Sequence, residues 1–181
     1  VFGRLIRAEG MTFHRRRRRP PPDPVNVLLS FGYTMLTNLM HGYVEGASLD
    51  PYLGALHTPS YGRPSLPLDL IEPFRPLIVD TTVLRTVNTR AITPEDFGPP
   101  DTEGYLGPNS SSNPSPISAR ADADDPKAEE TNHNEPPVRF RKTGIRKWIA
   151  AYERRLDDRV YYPPKDQRLK YRQVLRQEVY R

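Results

Sequence analysis

The sequence predicts a mainly α-helical domain interrupted by a disordered insertion. Two observations carry the helical part: an apolar period near 3.6 residues is sustained over Val25–Tyr43 and again over Ile145–Leu156, and helix start and stop residues bracket both stretches. A third carries the insertion. Of the 40 residues 98–137, eight are Pro, five Ser, four Asn and three Gly, and only seven are apolar. So few apolar side chains cannot offset an ordering entropy of roughly 1–2 kcal/mol per residue. The expected organisation is therefore 1–97 as the first part of the helical domain, 98–137 as an acidic Pro/Ser/Asn-rich insertion, and 138–181 as a basic helical part of the same domain.

Taken in order, Asp23 can cap a helix whose first residue is Pro24, where the missing N–H costs nothing. Leu28, Leu29, Met35, Leu36, Leu39, Met40 and Tyr43 keep the period, and Gly46 can end it. This helix is apolar around much of its circumference and belongs in the centre, with Met35, Met40 and His41 as core. Asp50–Pro67 is rich in turn residues. A helical pattern resumes at Leu66–Ile71, is bent by Pro73 and Pro76, and runs on to Asn88; Thr93-Pro94 signals another start. Thr143 is expected to cap the next helix. Its positions Ile145, Trp148, Ile149, Tyr152 and Leu156 share one face, while Arg146, Lys147, Arg154 and Arg155 lie opposite. Pro163-Pro164 breaks the pattern, and Asp166 is expected to cap a last helix carrying Tyr171, Val174, Leu175, Glu178 and Val179.

Charge is unevenly spread. The net of +5 resolves into +5 over 1–25, −3 over 26–97, −6 over 98–137 and +9 over 138–181. Two basic blocks flanking an acid-containing apolar centre point first to a polyanion. No apolar run approaches ~20 residues, which excludes a membrane helix. The N-terminus VFGRLIRAEG has neither an initiator Met nor a signal-peptide layout. The absence of Cys excludes disulfides, thiolate zinc sites and a Cys nucleophile, and is compatible with a reducing cytoplasm. Neither end reads as a natural terminus, so a piece of a longer protein is expected.

The most informative spacing is His57 … Asp69-x-x-Glu72. Two carboxylates three residues apart share a helix face, and Leu68, Leu70, Ile71 and Phe74 surround them with apolar surface. Like charges in such a place are costly unless a cation compensates. A divalent ion with oxygen ligands and one imidazole, Mg²⁺ or Mn²⁺, would resolve the conflict. The alternative is an exposed pair beside Arg75, with His57 an ordinary loop residue. Arg15, Arg16, Arg17, Arg18 and Arg19 suit bidentate phosphate contact, or else form a solvated tether. Tyr152, Tyr161, Tyr162 and Tyr171 among the C-terminal cations could stack on bases, although Tyr152 and Tyr171 read as core. His14 and His133 are weak signals. Ser65 has no arranged His–acid pair and no Gly-rich phosphate loop is present, so triad and P-loop chemistry are excluded.

The strings RRRRRPPPDPVNVLLSFGYTMLTN, LDPYLGALHTPSYGRPSLPLDLIEPFRPLIVDTTVLRTVN and ITPEDF, in that order, resemble the helical C-terminal domain of the CRISPR spacer integrase, CRISPR-associated protein one. The resemblance runs through 13–97 and more weakly through 138–181, where KTGIRKWIAAYERRL is similar to the family's later helices. It implies a cytoplasmic, metal-dependent DNA endonuclease and integrase of prokaryotic adaptive immunity. It implies Mg²⁺ or Mn²⁺ as cofactor, DNA and CRISPR-associated protein two as partners, and a homodimer in the full-length protein. His57 matches the metal-binding histidine, Glu72 the acidic ligand, Asp69 the nearby acid that assists, and Arg75 an arginine that orients or balances charge near the DNA. It also implies a third ligand, a glutamate upstream of Val1, because MTFHRRR after Glu9-Gly10 does not fit the family's Glu-Gly motif. The family's dimerising β-domain and that glutamate are expected to be missing, leaving the segment alone inactive. The rival reading is a non-catalytic nucleic-acid-binding module of the same fold.

Overall fold

A computed structural model describes residues 2–17, 21–56, 61–98 and 138–181. The central helix α1, Pro24–Gly46, begins and ends where its sequence signals place it. Asp23 Oδ1 accepts from Asn26 N at 2.8 Å, Pro24 occupies the first turn, and Ser48 just beyond the end takes a left-handed φ of 59°. Buried residues recur along its whole length, from Val25 to Val44, so nearly every other element can pack on it. It touches α2 (Ser65–Ile71), a π-helical segment (Arg75–Asp80), α3 (Thr81–Asn88), β2 (Arg139–Phe140) and α5 (Tyr171–Glu178).

The bend expected at Pro73 and Pro76 is a change of helix type. Glu72–Phe74 is a 3-10 turn, and the π-helical segment follows it directly. Two prolines three residues apart remove two rungs of the α ladder, so the chain winds tighter and then wider until Thr81 N–H reaches back to Pro76 O. Buried threonines on α3 are satisfied locally: Thr82 Oγ1 donates to Ile78 O at 2.6 Å and Thr86 Oγ1 to Thr82 O at 2.8 Å.

Four local expectations are corrected. Thr93-Pro94 starts only one 3-10 turn, Pro94–Asp96, before the strand β1, Phe97–Gly98. The rings of Phe97 and Phe140 stack at 4.7 Å, which draws the chain into an antiparallel pair with β2. Helix α4 spans Lys142–Asp157, so Thr143 lies inside it, and Arg141 is the capping residue; the Arg141 N–H donates to Asp96 O at 2.8 Å. Ile149 is 39% exposed whereas Trp148 is 0% exposed, so the apolar face of α4 is narrower than the sequence spacing suggested. Beyond α4 the chain forms a hairpin, β3 (Arg159–Tyr162) and β4 (Gln167–Lys170), around Pro163–Lys165. Asp166 is therefore a left-handed turn residue at φ 48°, holding the Tyr161 hydroxyl at 2.6 Å, and Lys170 caps α5. Residues 99–137 lie outside the described residues; Gly98, counted in the expected insertion, pairs with Arg139.

The helices meet at Gly32. A Cβ there would lie 2.6 Å from Val79 Cγ1 and 2.8 Å from Trp148 Cζ2, so only glycine lets α1, the π segment and α4 approach this closely. The buried carboxylate of Asp96 is matched by Lys147 Nζ at 2.9 and 2.8 Å, which ties the first part of the domain to α4. No helix among the described residues is long and apolar enough to cross a membrane.

Burial pushes the hydroxyls of Tyr33 and Tyr152 above the usual tyrosine range; the bond from Tyr33 to Asp80 adds to the shift at Tyr33, and the charge of Glu153 adds to it at Tyr152. Both groups keep protons that the unfolded chain releases near pH ~10. Their contribution to stability is fully present below that pH and is lost as pH rises through the higher folded values. The thermal midpoint should therefore fall as pH rises above about 10, and fall less in Tyr152→Phe. Equal slopes in the two proteins, followed by circular dichroism, would remove Tyr152 as a cause.

Candidate functional site

The site is built where the arginine loop, α1 and the proline-bent segment converge. Asn26, 0% exposed, organises the first of these. Its Nδ2 donates to Arg15 O at 3.0 Å and to Asp23 Oδ2 at 2.7 Å, and its Oδ1 accepts from Arg16 Nη1 and Arg17 N, both at 2.9 Å. One amide thus satisfies the helix start and folds the basic loop onto it. Arg16 also donates from Nη2 to Ser30 Oγ at 2.9 Å, and its guanidinium lies 5.7 Å from the centre of the Tyr33 ring. Arg16 is therefore an internal staple of the loop, while Arg15 is exposed at its surface. Arg18 and Arg19 lie outside the described residues.

Tyr33 is the meeting point. Arg75 covers its ring at 4.3 Å, close enough for a cation–π contact, and the phenol donates to Asp80 Oδ1 at 2.5 Å. Burial raises the Asp80 carboxyl, opposed by that hydrogen bond and by the charges of Arg75 and Arg16. From this platform Arg75 Nη1 donates to Glu72 Oε1 at 2.6 Å. The pair is only partly screened from water, with side-chain exposures of 26% for Arg75 and 43% for Glu72. Glu72 Oε2 has no partner among the described residues. Glu72 sits on the 3-10 turn, off the end of α2, because Pro73 follows it.

Asp69 is turned elsewhere. Its Oδ2 accepts from Ala55 N at 2.6 Å and from Leu56 N at 2.9 Å, so it faces the loop that leads into His57. His57 itself lies outside the described residues. The structure thus brings Glu72 and Arg75 together, sets Arg16 on the same aromatic ring, and engages Asp69 with the chain just before His57. Sequence reasoning missed Asn26, Tyr33 and Asp80. Their signal was present as polar groups in an otherwise apolar stretch, but most of their partners are distant in the chain.

The donor chemistry suits a hard divalent cation in part: Glu72 offers an accessible carboxylate oxygen, and oxygen donors are what Mg²⁺ and Mn²⁺ take. Among the described residues, however, no three His, Cys, Asp or Glu side chains gather in one place.

These elements define a mainly helical class of domain, with a carboxylate and a basic loop meeting at the helix junction. The profile of the family described as CRISPR associated protein Cas1 matches residues 1–113, and the chain belongs to that family. It is similar to the CRISPR-associated endonuclease Cas1 3 of Thermus thermophilus, 38% identical over 175 residues that cover 97% of this chain and 42% of the relative. Two solved structures share its fold. A casposase bound to integration product gives a TM-score of 0.71 at 23% identity, covering 97% of this chain and 40% of that one. A partial Cas6-RT-Cas1–Cas2 complex gives 0.67 at 24% identity, covering 99% and 43%. The chain thus spans less than half the length of these relatives.

Proposed function

We propose that this chain is the C-terminal catalytic part of a metal-dependent DNA endonuclease and integrase that inserts spacers into CRISPR arrays. The observation that carries it is the Glu72–Arg75 pair held on Tyr33 beside the arginine loop: an accessible carboxylate next to cations, on a fold shared with a casposase bound to integration product. In this reading His57 and Glu72 hold Mg²⁺ or Mn²⁺, which when bound supplies charge stabilisation to the phosphoryl oxygens. Arg75, fixed on Tyr33, presents its guanidinium N–H groups to a phosphate oxygen. A DNA 3′-hydroxyl attacks the phosphodiester: a new P–O bond forms, the old one breaks, the attacking oxygen loses its proton and the leaving oxygen gains one. Hydrolysis is the same exchange with water as the nucleophile. The partner proposed besides DNA is CRISPR-associated protein two, in keeping with the fold shared with the Cas1–Cas2 assembly; a homodimer and a prokaryotic cytoplasmic setting complete the reading.

The test is Mn²⁺-dependent nicking of branched DNA by a full-length protein carrying this segment. Its absence, with DNA binding retained, would favour the rival reading, a nucleic-acid-binding module without chemistry.

The arginine loop has its own expected result. Changing Arg15, Arg17, Arg18 and Arg19 to Gln, and sparing Arg16 for its structural bonds, should weaken DNA binding similarly across sequences. The salt slope should become shallower by roughly 0.9 for each phosphate that is no longer neutralised. An unchanged slope in a filter-binding titration would identify the run as a solvated tether.

A further inference from the structure

We infer that Asp69 serves the site as a positioning residue: a backbone clamp that fixes the chain immediately before His57, acting through that residue and not as a ligand. The inference rests on the proposed reading of His57 as a metal ligand, and it says how the nearby carboxylate assists.

One oxygen, Asp69 Oδ2, takes both consecutive amide protons of Ala55 and Leu56, at 2.6 and 2.9 Å. Two amides aimed at a single carboxylate oxygen are a built receptor for the end of a loop, since charge-assisted bonds of this length are the strong ones. The neighbouring residue is shaped for it. A Cβ on Gly54 would lie 2.7 Å from that same oxygen and 2.5 Å from Ser65 Cβ, with Ser65 C at 3.0 Å. Only glycine lets the loop settle against α2 closely enough to reach Asp69. A second tie lies alongside, where Leu66 N donates to Pro51 O at 3.0 Å. Segment 51–56 is thus fastened to the first turns of α2, and α2 leads directly into the turn bearing Glu72. The clamp sets the chain before His57 relative to the Glu72 turn through one short, stiff path.

On this reading an acid at 69 and an acid at 72 play different parts. Glu72 keeps one oxygen open, whereas the Asp69 oxygen that carries both bonds faces backbone amides. It also predicts that an asparagine, whose Oδ1 can accept the same two protons, keeps part of the clamp that an alanine loses.

Amide hydrogen exchange on the metal-free chain tests the clamp. In Asp69→Ala the Ala55 and Leu56 amides should exchange at least about tenfold faster, the loss expected for bonds to a charged acceptor. In Asp69→Asn they should exchange clearly more slowly than in Asp69→Ala, since a neutral acceptor remains. Gly54→Ala, which alters no carboxylate, should expose the same two amides as Asp69→Ala does. Native-like exchange at both amides in Asp69→Ala would overturn the clamp. Mn²⁺ titration by electron paramagnetic resonance tests the route. Asp69→Ala should weaken Mn²⁺ binding about tenfold in the native background and by less than about twofold when His57→Ala is already present, because coupled residues do not add. A further full loss in the His57→Ala background, or equal losses for Asn and Ala, would make Asp69 a ligand and overturn the positioning role. These titrations use a full-length protein carrying this segment; if it takes up no Mn²⁺ the metal reading and the positioning role fall together, while the exchange measurement still decides the clamp.

Discussion

Glu72→Ala in a full-length protein carrying this segment is expected to lose metal-dependent strand cleavage by about 10³-fold or more, the several kcal/mol a metal ligand is worth at a phosphoryl centre. DNA affinity should stay within about threefold, because affinity resides in cations that contact the backbone. Glu72→Gln sharpens the result. The Gln carbonyl can still accept from Arg75 Nη1, so the bond now 2.6 Å long survives while the charge is removed. If activity survives in Gln and fails in Ala, Glu72 serves only to orient Arg75. If both fail alike, the carboxylate charge itself is required, as the metal reading states. Rates measured on the same branched DNA with Mn²⁺ separate the two.

Trp148→Ala should cost about 3–5 kcal/mol of unfolding free energy, the range for deleting a large buried aromatic. Trp148 is fully buried, and its ring edge lies against Gly32 on α1, where a Cβ would come within 2.8 Å. The indole N–H has no partner among the described residues, so the loss is one of packing and cavity, with no hydrogen bond involved. The neighbouring Ile149→Ala should cost less than about 1 kcal/mol, since much of that side chain is already in water. Urea unfolding of the two variants checks the contrast. Similar losses would mean that α4 turns a broader face to the core than the structure shows.

That contrast shows where sequence periodicity stops. Trp148 and Ile149 sit three and four residues after Ile145, and both steps fit one helical face. Which of them is buried depends on how α4 rolls against α1, and Gly32 with Val79 decides this from far away in the chain. The hairpin 159–170 was missed for a related reason. Pro163-Pro164 reads as a break, and nothing local says that the two sides pair as Arg159–Lys170 through Tyr162–Gln167. By contrast, the start of α1 was legible, because Asp23 and Pro24 act through their own backbone neighbours; the helix ends at Gly46, with Ala47 as cap and Ser48 in the left-handed region beyond it.

The candidate site divides in the same way. Residue type and short spacing single out the candidates: the acids at 69 and 72, the histidine at 57, the arginine run and Arg75. These features also carry the family's motifs. What the described ones among them do with one another was settled in three dimensions. Two acids three residues apart, on backbone that is still helical through Glu72, take different partners: Glu72 meets Arg75, and Asp69 meets the Ala55 and Leu56 amides. The folded chain turns Asp69 to two backbone amides across a loop with room only for glycine, and sets Arg75 and Arg16 on one tyrosine ring supplied by the buried helix. Hydrogen bonds and ring contacts between residues dozens of positions apart depend on how helices pack, and packing is settled by the whole core at once.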